Sequence, residues 1–246
     1  MEYKTWRWRS AALDRDMDLA RWGYFGKPVL LFPTAGGDFL ECERFLMIRA
    51  LAPLIDAGRI KVYACGSISR EGWMNRTAPP WHKSWLQARF DEYLVTELLP
   101  AIRADCEGYA LFAAAGASLG AYNAVNAGCK HPEWFDLVVG MSGTYDFDRW
   151  MGDHRDLNYY YNQPLAFLPN LGPSTQLDDL QKTRFVIATG TGRWEAPEES
   201  ERLAGVLRAK GAPVNLELWG PDADHDWPTW RTMLPMFLDR FADGER

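Results

Sequence analysis

The sequence predicts a single α/β domain of 246 residues, with a mainly parallel central sheet, helices on both faces and an N-terminal hairpin. Two observations support this fold class. Short continuous apolar runs, which are typical of buried parallel strands, alternate along the chain with segments of helical periodicity. No internal repeat or linker-like stretch interrupts this alternation, and a chain of this length can bury the core of one domain.

The predicted strands begin with the hairpin, in which residues 3–9 and 16–24 alternate as half-exposed strands do. Apolar runs then predict buried strands at residues 29–32, 60–65, 110–115, 137–141 and 185–188, and an alternating pattern predicts a last strand at 214–219. Ligands of such sheets bind at the carboxyl ends of the strands, so functional residues are expected in the loops that follow them.

Helices are predicted between these strands. Residues 85–102 carry apolar side chains at helical spacing, with a kink expected at Pro100. Residues 119–129 and 197–210 form two more predicted helices, the second of which starts at a proline and stops at a glycine. The last helix has one apolar stripe, formed by Trp230, Leu234, Phe237, Leu238 and Phe241.

Composition and charge exclude several classes of protein. A formal charge of −6 without a long basic run argues against a nucleic-acid partner. The four cysteines lack C-x-x-C spacing, so neither a zinc site nor a redox pair is expected. Residues 108–129 are uncharged, but their Gly, Ser and Asn content favours a buried strand and a packed helix over a membrane span. The amino terminus lacks the apolar part of a secretion signal, and we expect a cytoplasmic protein.

One serine lies in a motif that carries chemistry. Gly116-Ala-Ser118-Leu-Gly120 matches G-x-S-x-G between a predicted strand and a predicted helix, which is the context of a nucleophile elbow. Small neighbours let strand and helix approach closely around a strained serine. Ser118 is therefore the candidate nucleophile. The alternative is a glycine-rich turn that carries a serine by chance.

A serine needs a base to become a good nucleophile, and the chain has four histidines. His225 follows the last predicted strand, so we expect it at the same edge of the sheet as Ser118. His131 is expected at the opposite edge, His82 on a helix surface, and His154 in a polar loop. His225 is the candidate base, with a capping or solvated histidine as the alternative.

An acid should orient the imidazole, and in sheets of this kind the chain order is serine, acid, histidine. Glu195 fits because it follows the strand at 185–188 and precedes the next helix. Glu198 is the second candidate, although Glu198 and Glu199 are also explained as acids in the first turn of a helix.

An oxyanion needs two backbone N–H groups near the serine. Leu119, the residue after the candidate nucleophile, can supply one. The other is expected from the loop after an early strand, where Ala35 is the first choice and Gly36 the second. The glycines of this loop also suit a simple turn.

Three aspartates surround His225 at alternate positions and resemble the start of a calcium loop. They are Asp222, Asp224 and Asp226. Trp227 stands where a calcium loop requires glycine, and Met233 where it requires glutamate, so no metal is expected. No cofactor is expected either.

Aromatic residues are abundant, with 12 Trp, 12 Phe and 10 Tyr. The connection at residues 144–180 is long and aromatic, which predicts a lid or cap insertion. Tyr145 and Trp150 from this connection, and Trp73 from another loop, are candidate substrate-binding residues. The alternative for each ring is packing in the core. Aromatic walls suit an aryl, acyl or glycosyl ester.

These motifs resemble those of the putative-esterase branch of the α/β-hydrolases, the group of esterase D and the mycolyltransferases. The resemblance extends from about Val29 to the carboxyl terminus. The motifs are Phe32-Pro-Thr-Ala-Gly-Gly37, Gly116-Ala-Ser-Leu-Gly120 with His131-Pro132 downstream, Thr189-Gly-Thr-Gly-Arg-Trp-Glu195, and Trp219-Gly-Pro-Asp-Ala-Asp-His-Asp-Trp227.

The resemblance implies the α/β-hydrolase fold, with Ser118 as nucleophile, His225 as general base and Glu195 as acid. Ala35 and Leu119 match the oxyanion donors of the family. Mycolyltransferases also have Glu where Glu195 falls, whereas esterase D members have Asp. The thiol-ester signature loop of esterase D is absent here, so the acyl group is left open.

The predicted function is therefore hydrolysis of a small-molecule carboxylic ester by a serine esterase, through an acyl-enzyme. One alternative is an acyltransferase that uses the same triad. The other is a non-catalytic protein that binds ligands in its aromatic cleft. The oligomeric state, including a homo-oligomer, is left open.

Overall fold

A computed structural model describes residues 1–107 and 111–241 of the chain, and of Phe241 only the backbone. Within these residues eight strands form one sheet in the order β1-β2-β4-β3-β5-β6-β7-β8. They are β1 Tyr3–Ser10, β2 Arg15–Trp22, β3 Lys27–Phe32, β4 Ile60–Cys65, β5 Phe112–Ala117, β6 Phe135–Met141, β7 Arg184–Thr189 and β8 Val214–Leu218.

The sheet has two regions of different strand direction. β1 and β2 form an antiparallel hairpin, and β2 pairs antiparallel with β4. From β4 to β8 every neighbouring pair is parallel, so the carboxyl ends of these strands share one edge. The predicted hairpin, the parallel sheet and the α/β class are confirmed.

Helices cover both faces of the sheet, and a separate hydrophobic cluster lies on each face. The first cluster joins the sheet to α3, α4, α5 and α10; the second joins it to α2 and α11. The helices are α1 Glu41–Arg44, α2 Met47–Asp56, α3 Pro80–Tyr93, α4 Leu99–Asp105, α5 Leu119–Lys130, α6 Asp148–Met151, α7 Leu157–Tyr161, α8 Pro164–Phe167, α9 Thr175–Leu180, α10 Pro197–Ala209 and α11 Trp227–Phe241.

The side chains of β5 alternate between the two faces of the sheet. Phe112 and Ala114 belong to the first cluster, whereas Ala113, Ala115 and Ala117 belong to the second. Alternation with period two sends successive side chains to opposite faces, and both faces are buried. β5 ends two residues later than predicted, directly before Ser118, because it pairs with β3 and β6 up to that point. Residue 110, where the prediction began, lies outside the described residues.

The helix predicted at 85–102 starts earlier and is interrupted before its proline. α3 begins at Pro80, and residues 94–98 form a π-helical turn that leads into α4. Pro100 occupies the first turn of α4. A proline lacks the N–H for the preceding turn, and its ring crowds the carbonyl four residues back, so the chain widens before the proline.

The segment 144–180 forms the short helices α6 to α9 and a 3-10 turn at Leu168–Asn170. These pack on α3, α5 and α10. Its role as a lid stays a prediction. None of the described helices combines the length and the apolar character needed to cross a lipid bilayer.

Candidate active site

Ser118 lies in a strained turn between β5 and α5. Its φ of 56° and ψ of −124° are unusual for a residue with a side chain. A Cβ at Gly116 would collide with the Gly120 carbonyl, and one at Gly120 would collide with the Phe32 carbonyl. Glycine at both positions therefore allows the close approach of strand, turn and helix that this serine needs.

Glu195 is the acid that lies next to His225. Its side chain is 1% exposed, and its Oε2 lies 3.9 Å from Nδ1 of His225. This is an ion-pair distance, longer than a hydrogen bond. Glu198, the second candidate, is exposed in the first turn of α10. Glu199 instead accepts the backbone N–H groups of Tyr145 and Asp146.

Two hydroxyl groups hold the Glu195 carboxylate. Ser142 donates to Oε1 at 2.5 Å, and Thr189 donates to Oε2 at 2.9 Å. Burial by itself raises the pKa of Glu195, but the imidazole of His225 and the two hydroxyls outweigh it and keep the pKa below its ordinary value. The carboxylate is thus held ionised and in one orientation.

The sequence prediction missed Ser142, which connects several parts of the site. It follows β6 with a φ of 47° and is buried. Its Oγ accepts the indole N–H of Trp230 at 2.9 Å while it donates to Glu195. A serine directly after a buried strand, next in the sheet to the strand of Ser118, was the available signal.

Ser118 connects to this cluster through the sheet. Its backbone N–H donates to the Met141 carbonyl at 3.0 Å, so it lies beside the residue that precedes Ser142. The side chain of His225 is about a quarter exposed and packs edge-on against Trp230, with 5.1 Å between the ring centroids. Among the described residues, no hydrogen bond joins the Ser118 hydroxyl to the imidazole.

The predicted oxyanion donors are free. Within the described part of the chain, the backbone N–H groups of Leu119, Ala35 and Gly36 donate to no protein acceptor. Leu119 is the first residue of α5, where the N–H has no partner inside the helix. Unpaired N–H groups on two loops at one sheet edge are suited to binding a negatively charged oxygen.

Two of the three aspartates around His225, Asp224 and Asp226, have structural partners. Asp224 accepts the backbone N–H of Arg193 and two hydrogen bonds from its guanidinium, all between 2.7 and 2.9 Å. The Arg193 carbonyl in turn accepts the backbone N–H of His225 at 3.0 Å. Asp226 accepts the N–H of Thr229 at the start of α11. These contacts hold the loop of Glu195 and the loop of His225 together.

The remaining histidines lie apart from this cluster. His131 pairs with Asp91 at 2.9 Å, and His154 with Asp156 at 2.8 Å. His82 lies within α3, near the rings of two exposed tryptophans. No group of candidate metal ligands occurs among residues 1–107 and 111–241.

The three candidate substrate-binding aromatics pack against other parts of the protein. Trp73 and Tyr145 are 2% and 1% exposed, and the Trp73 indole donates to Gln87. Trp150 is half-buried against Phe147. Burial leaves Trp73 and Tyr145 no surface for a substrate in this structure. Trp194, directly before Glu195, is instead 87% exposed, with a φ of 67°.

Comparison with protein families identifies the class of this chain. The family model described as "Putative esterase" matches residues 67–241, which contain Ser118, Glu195 and His225. The chain belongs to this esterase family. The predicted class, a serine esterase of the α/β-hydrolase type, is therefore confirmed at the level of the family. Among curated proteins, no sequence matches significantly.

Solved structures share the fold of this esterase. A ferulic acid esterase has a TM-score of 0.73 at 18% identity, covering 98% of this chain and 97% of its own. An S-formylglutathione hydrolase from Agrobacterium tumefaciens has 0.71 at 13% identity, covering 98% and 94%. MPT51 of Mycobacterium tuberculosis has 0.72 at 17% identity and covers both chains completely, at 100%. At such identities the similarity supports the α/β-hydrolase fold.

Proposed function

We propose that this esterase hydrolyses a small-molecule carboxylic ester through a covalent acyl-enzyme, with Ser118 as nucleophile, His225 as general base and Glu195 as the orienting acid. The observation that carries the proposal is the buried, ionised Glu195 beside His225, at the sheet edge where the strained Ser118 turn lies. Strained serine turns and buried carboxylate–imidazole pairs are the parts of a serine triad.

In the first half of the reaction, Ser118 Oγ attacks the ester carbonyl carbon while His225 takes the hydroxyl proton. The tetrahedral intermediate collapses, the alkoxy group leaves with that proton, and the acyl group stays on Ser118. Glu195 stabilises the imidazolium that forms in each step. Water then attacks the acyl carbon, and His225 accepts its proton. When this second tetrahedral intermediate collapses, the bond between the acyl carbon and Ser118 Oγ breaks, His225 returns the proton to Oγ, and the acid product leaves.

The developing oxyanion would be bound by the N–H groups of Leu119 and Ala35, with Gly36 as the neighbouring donor. All three N–H groups lack acceptors among the described residues, which supports this role. Removing one such donor typically costs about 10²–10³ in kcat. Catalytic hydrogen bonds are often long before substrate binds, and we expect that of Ser118 with His225 to form in the substrate complex.

An aryl or acyl ester is the proposed substrate class. The exposed indole of Trp194, adjacent to Glu195, is an apolar surface near the proposed triad. Exposed rings of this kind bind aromatic or acyl groups. The fold similarity to a ferulic acid esterase is consistent with this class. Cytoplasmic localisation belongs to the proposal as an expectation from the sequence.

Turnover of p-nitrophenyl acetate, together with fluorophosphonate labelling, tests the proposal. We expect label on Ser118 only, and loss of both labelling and turnover in Ser118→Ala. Ser200→Ala is the matched control, because Ser200 is buried and its hydroxyl has no partner among the described residues. Label on another residue, or equal turnover in Ser118→Ala, would refute the mechanism. Ester products formed with an added alcohol would instead identify acyl transfer.

A further inference from the structure

The loop that carries two proposed oxyanion donors, residues 33–37, is held mainly by polar contacts. Besides those from Glu41, the Arg70 guanidinium donates to the Gly36 carbonyl at 2.7 Å, and the Gly37 N–H donates to the Thr34 carbonyl at 3.2 Å. Ala35 is exposed, and Gly36 has a φ of 77°. Pro33 and Thr34 border a cavity that also reaches Ala117, next to Ser118. Apolar contacts alone therefore do not determine the position of this loop.

Glu41, the first residue of α1, reaches back into the loop. Its carboxylate accepts the backbone N–H of Thr34 at 2.7 Å and the Thr34 hydroxyl at 2.8 Å. A Cβ at Gly37 would collide with this carboxylate, so glycine there allows the approach. Both carboxylate oxygens of Glu41 thus bind Thr34, the residue directly before Ala35.

The Glu41 carboxyl is held there at an energetic cost. The residue is 5% exposed, and within the described residues no salt bridge reaches it. Burial raises its pKa, although the hydrogen bonds from Thr34 act in the opposite direction. A buried carboxyl group without an ion-pair partner destabilises a fold, so a neutral side chain of the same shape would be no worse for stability.

We propose that Glu41 is a positioning residue, which holds the loop 33–37 so that the N–H groups of Ala35 and Gly36 are oriented beside Ser118 before substrate arrives. The inference rests on the proposed function, since it concerns the oxyanion site of that reaction. Glu41 touches no reacting atom and acts through Thr34.

The test compares three variants by kcat, KM and affinity for a phenylboronic acid, which mimics the tetrahedral intermediate. Glu41→Ala removes both acceptors, and we expect kcat to fall ~10–100-fold with KM nearly unchanged, since misplaced donors lose transition-state contacts. Boronic acid affinity should fall in parallel with kcat. Glu41→Gln should restore most of kcat, because its amide can accept the Thr34 N–H and donate to the hydroxyl. Glu43→Ala is the control, because on the same helix it removes a carboxylate that, among the described residues, accepts only the Trp22 indole N–H, away from the loop 33–37.

Each result decides the inference. Wild-type kcat in Glu41→Ala overturns it, even if thermal stability falls. Equal losses in Glu41→Gln and Glu41→Ala also overturn it, because charge rather than loop geometry would then matter. If Glu41→Ala does not fold, Thr34→Val replaces it; an unchanged kcat and boronic acid affinity there would count against the inference. Active Ser118→Ala refutes the proposed function itself, whereas inactive Ser118→Ala with fully active Glu41→Ala refutes only the role of Glu41.

Discussion

Replacing Ser142 by alanine should damage both the stability and the activity of this esterase. The hydroxyl is buried and makes two hydrogen bonds, one to the ionised Glu195 and one from the indole of Trp230. Alanine keeps the same backbone strain at a φ of 47°, so the substitution isolates the hydroxyl.

The magnitude follows from the two partners. A hydrogen bond to a charged group contributes about 1.5–3 kcal/mol, and a buried donor left without a partner costs about 1–3 kcal/mol. Because such contributions are not additive, we expect a loss of about 2–4 kcal/mol in the free energy of unfolding. At this chain length, the melting temperature should fall by roughly 5–15 °C. kcat should fall more than KM rises, since Glu195 loses one of its two hydroxyl contacts.

The assay is thermal unfolding beside p-nitrophenyl ester kinetics, with Ser200→Ala as the matched control. Ser200 is also fully buried, but its hydroxyl lacks a partner among the described residues. The same atom is removed in both variants, but only Ser142→Ala breaks hydrogen bonds. Ser200→Ala should therefore be neutral or slightly stabilising. If both variants lose the same stability, or if Ser142→Ala keeps the wild-type kcat, the reasoning about the hydroxyl network is wrong.

Three further predictions follow from the same contacts. Glu195→Gln should lower the free energy of unfolding by its full amount above about pH 4.3, the ordinary pKa of Glu. The loss should become smaller as pH falls through the depressed native pKa of Glu195. Urea titrations at pH 7 and below pH 4.3 will measure this difference. Gly120→Ala should yield little folded protein, because the new Cβ meets the Phe32 carbonyl; a normal circular dichroism spectrum and melting curve would contradict this. Asp224→Ala should reduce kcat several-fold, because Asp224 no longer binds Arg193. In 1 M salt, kcat of the wild-type enzyme should change by much less than this, because backbone hydrogen bonds also hold the Arg193 loop.

The middle of the sheet was predictable because β3 to β7 are buried on both faces. The mainly apolar run Ile60–Cys65, for example, has the predicted bounds. The ends of β5 and α3 were less accurately predicted. These ends depend on pairing with β3 and β6 and on a π-helical turn, which local sequence patterns do not encode. Element boundaries reflect tertiary contacts that a single sequence conceals.

The candidate site could be proposed from the sequence where its geometry depends on neighbouring residues. The turn around Ser118 and the loop position of Glu195 can be predicted from neighbouring residues. Trp73 and Tyr145, which are buried here, mark where sequence gives no answer, because aromatic residues in loops have the same composition whether they face a cleft or the core. Only packing decides between these environments, and packing appears in the structure alone.

Three polar side-chain contacts that the sequence does not predict each connect two segments at the sheet edge where the candidate site lies. Glu41 reaches the loop 33–37, Ser142 reaches Glu195, and Asp224 reaches the loop before Glu195. None lies close in sequence to its partner except Glu41, so no periodicity or motif predicts the pairs. Each contact adds a side-chain restraint to a loop that follows a strand of the sheet. We therefore expect these side chains to position the proposed triad and oxyanion donors, because a reacting group displaced by about 1 Å can lose 10²-fold in rate.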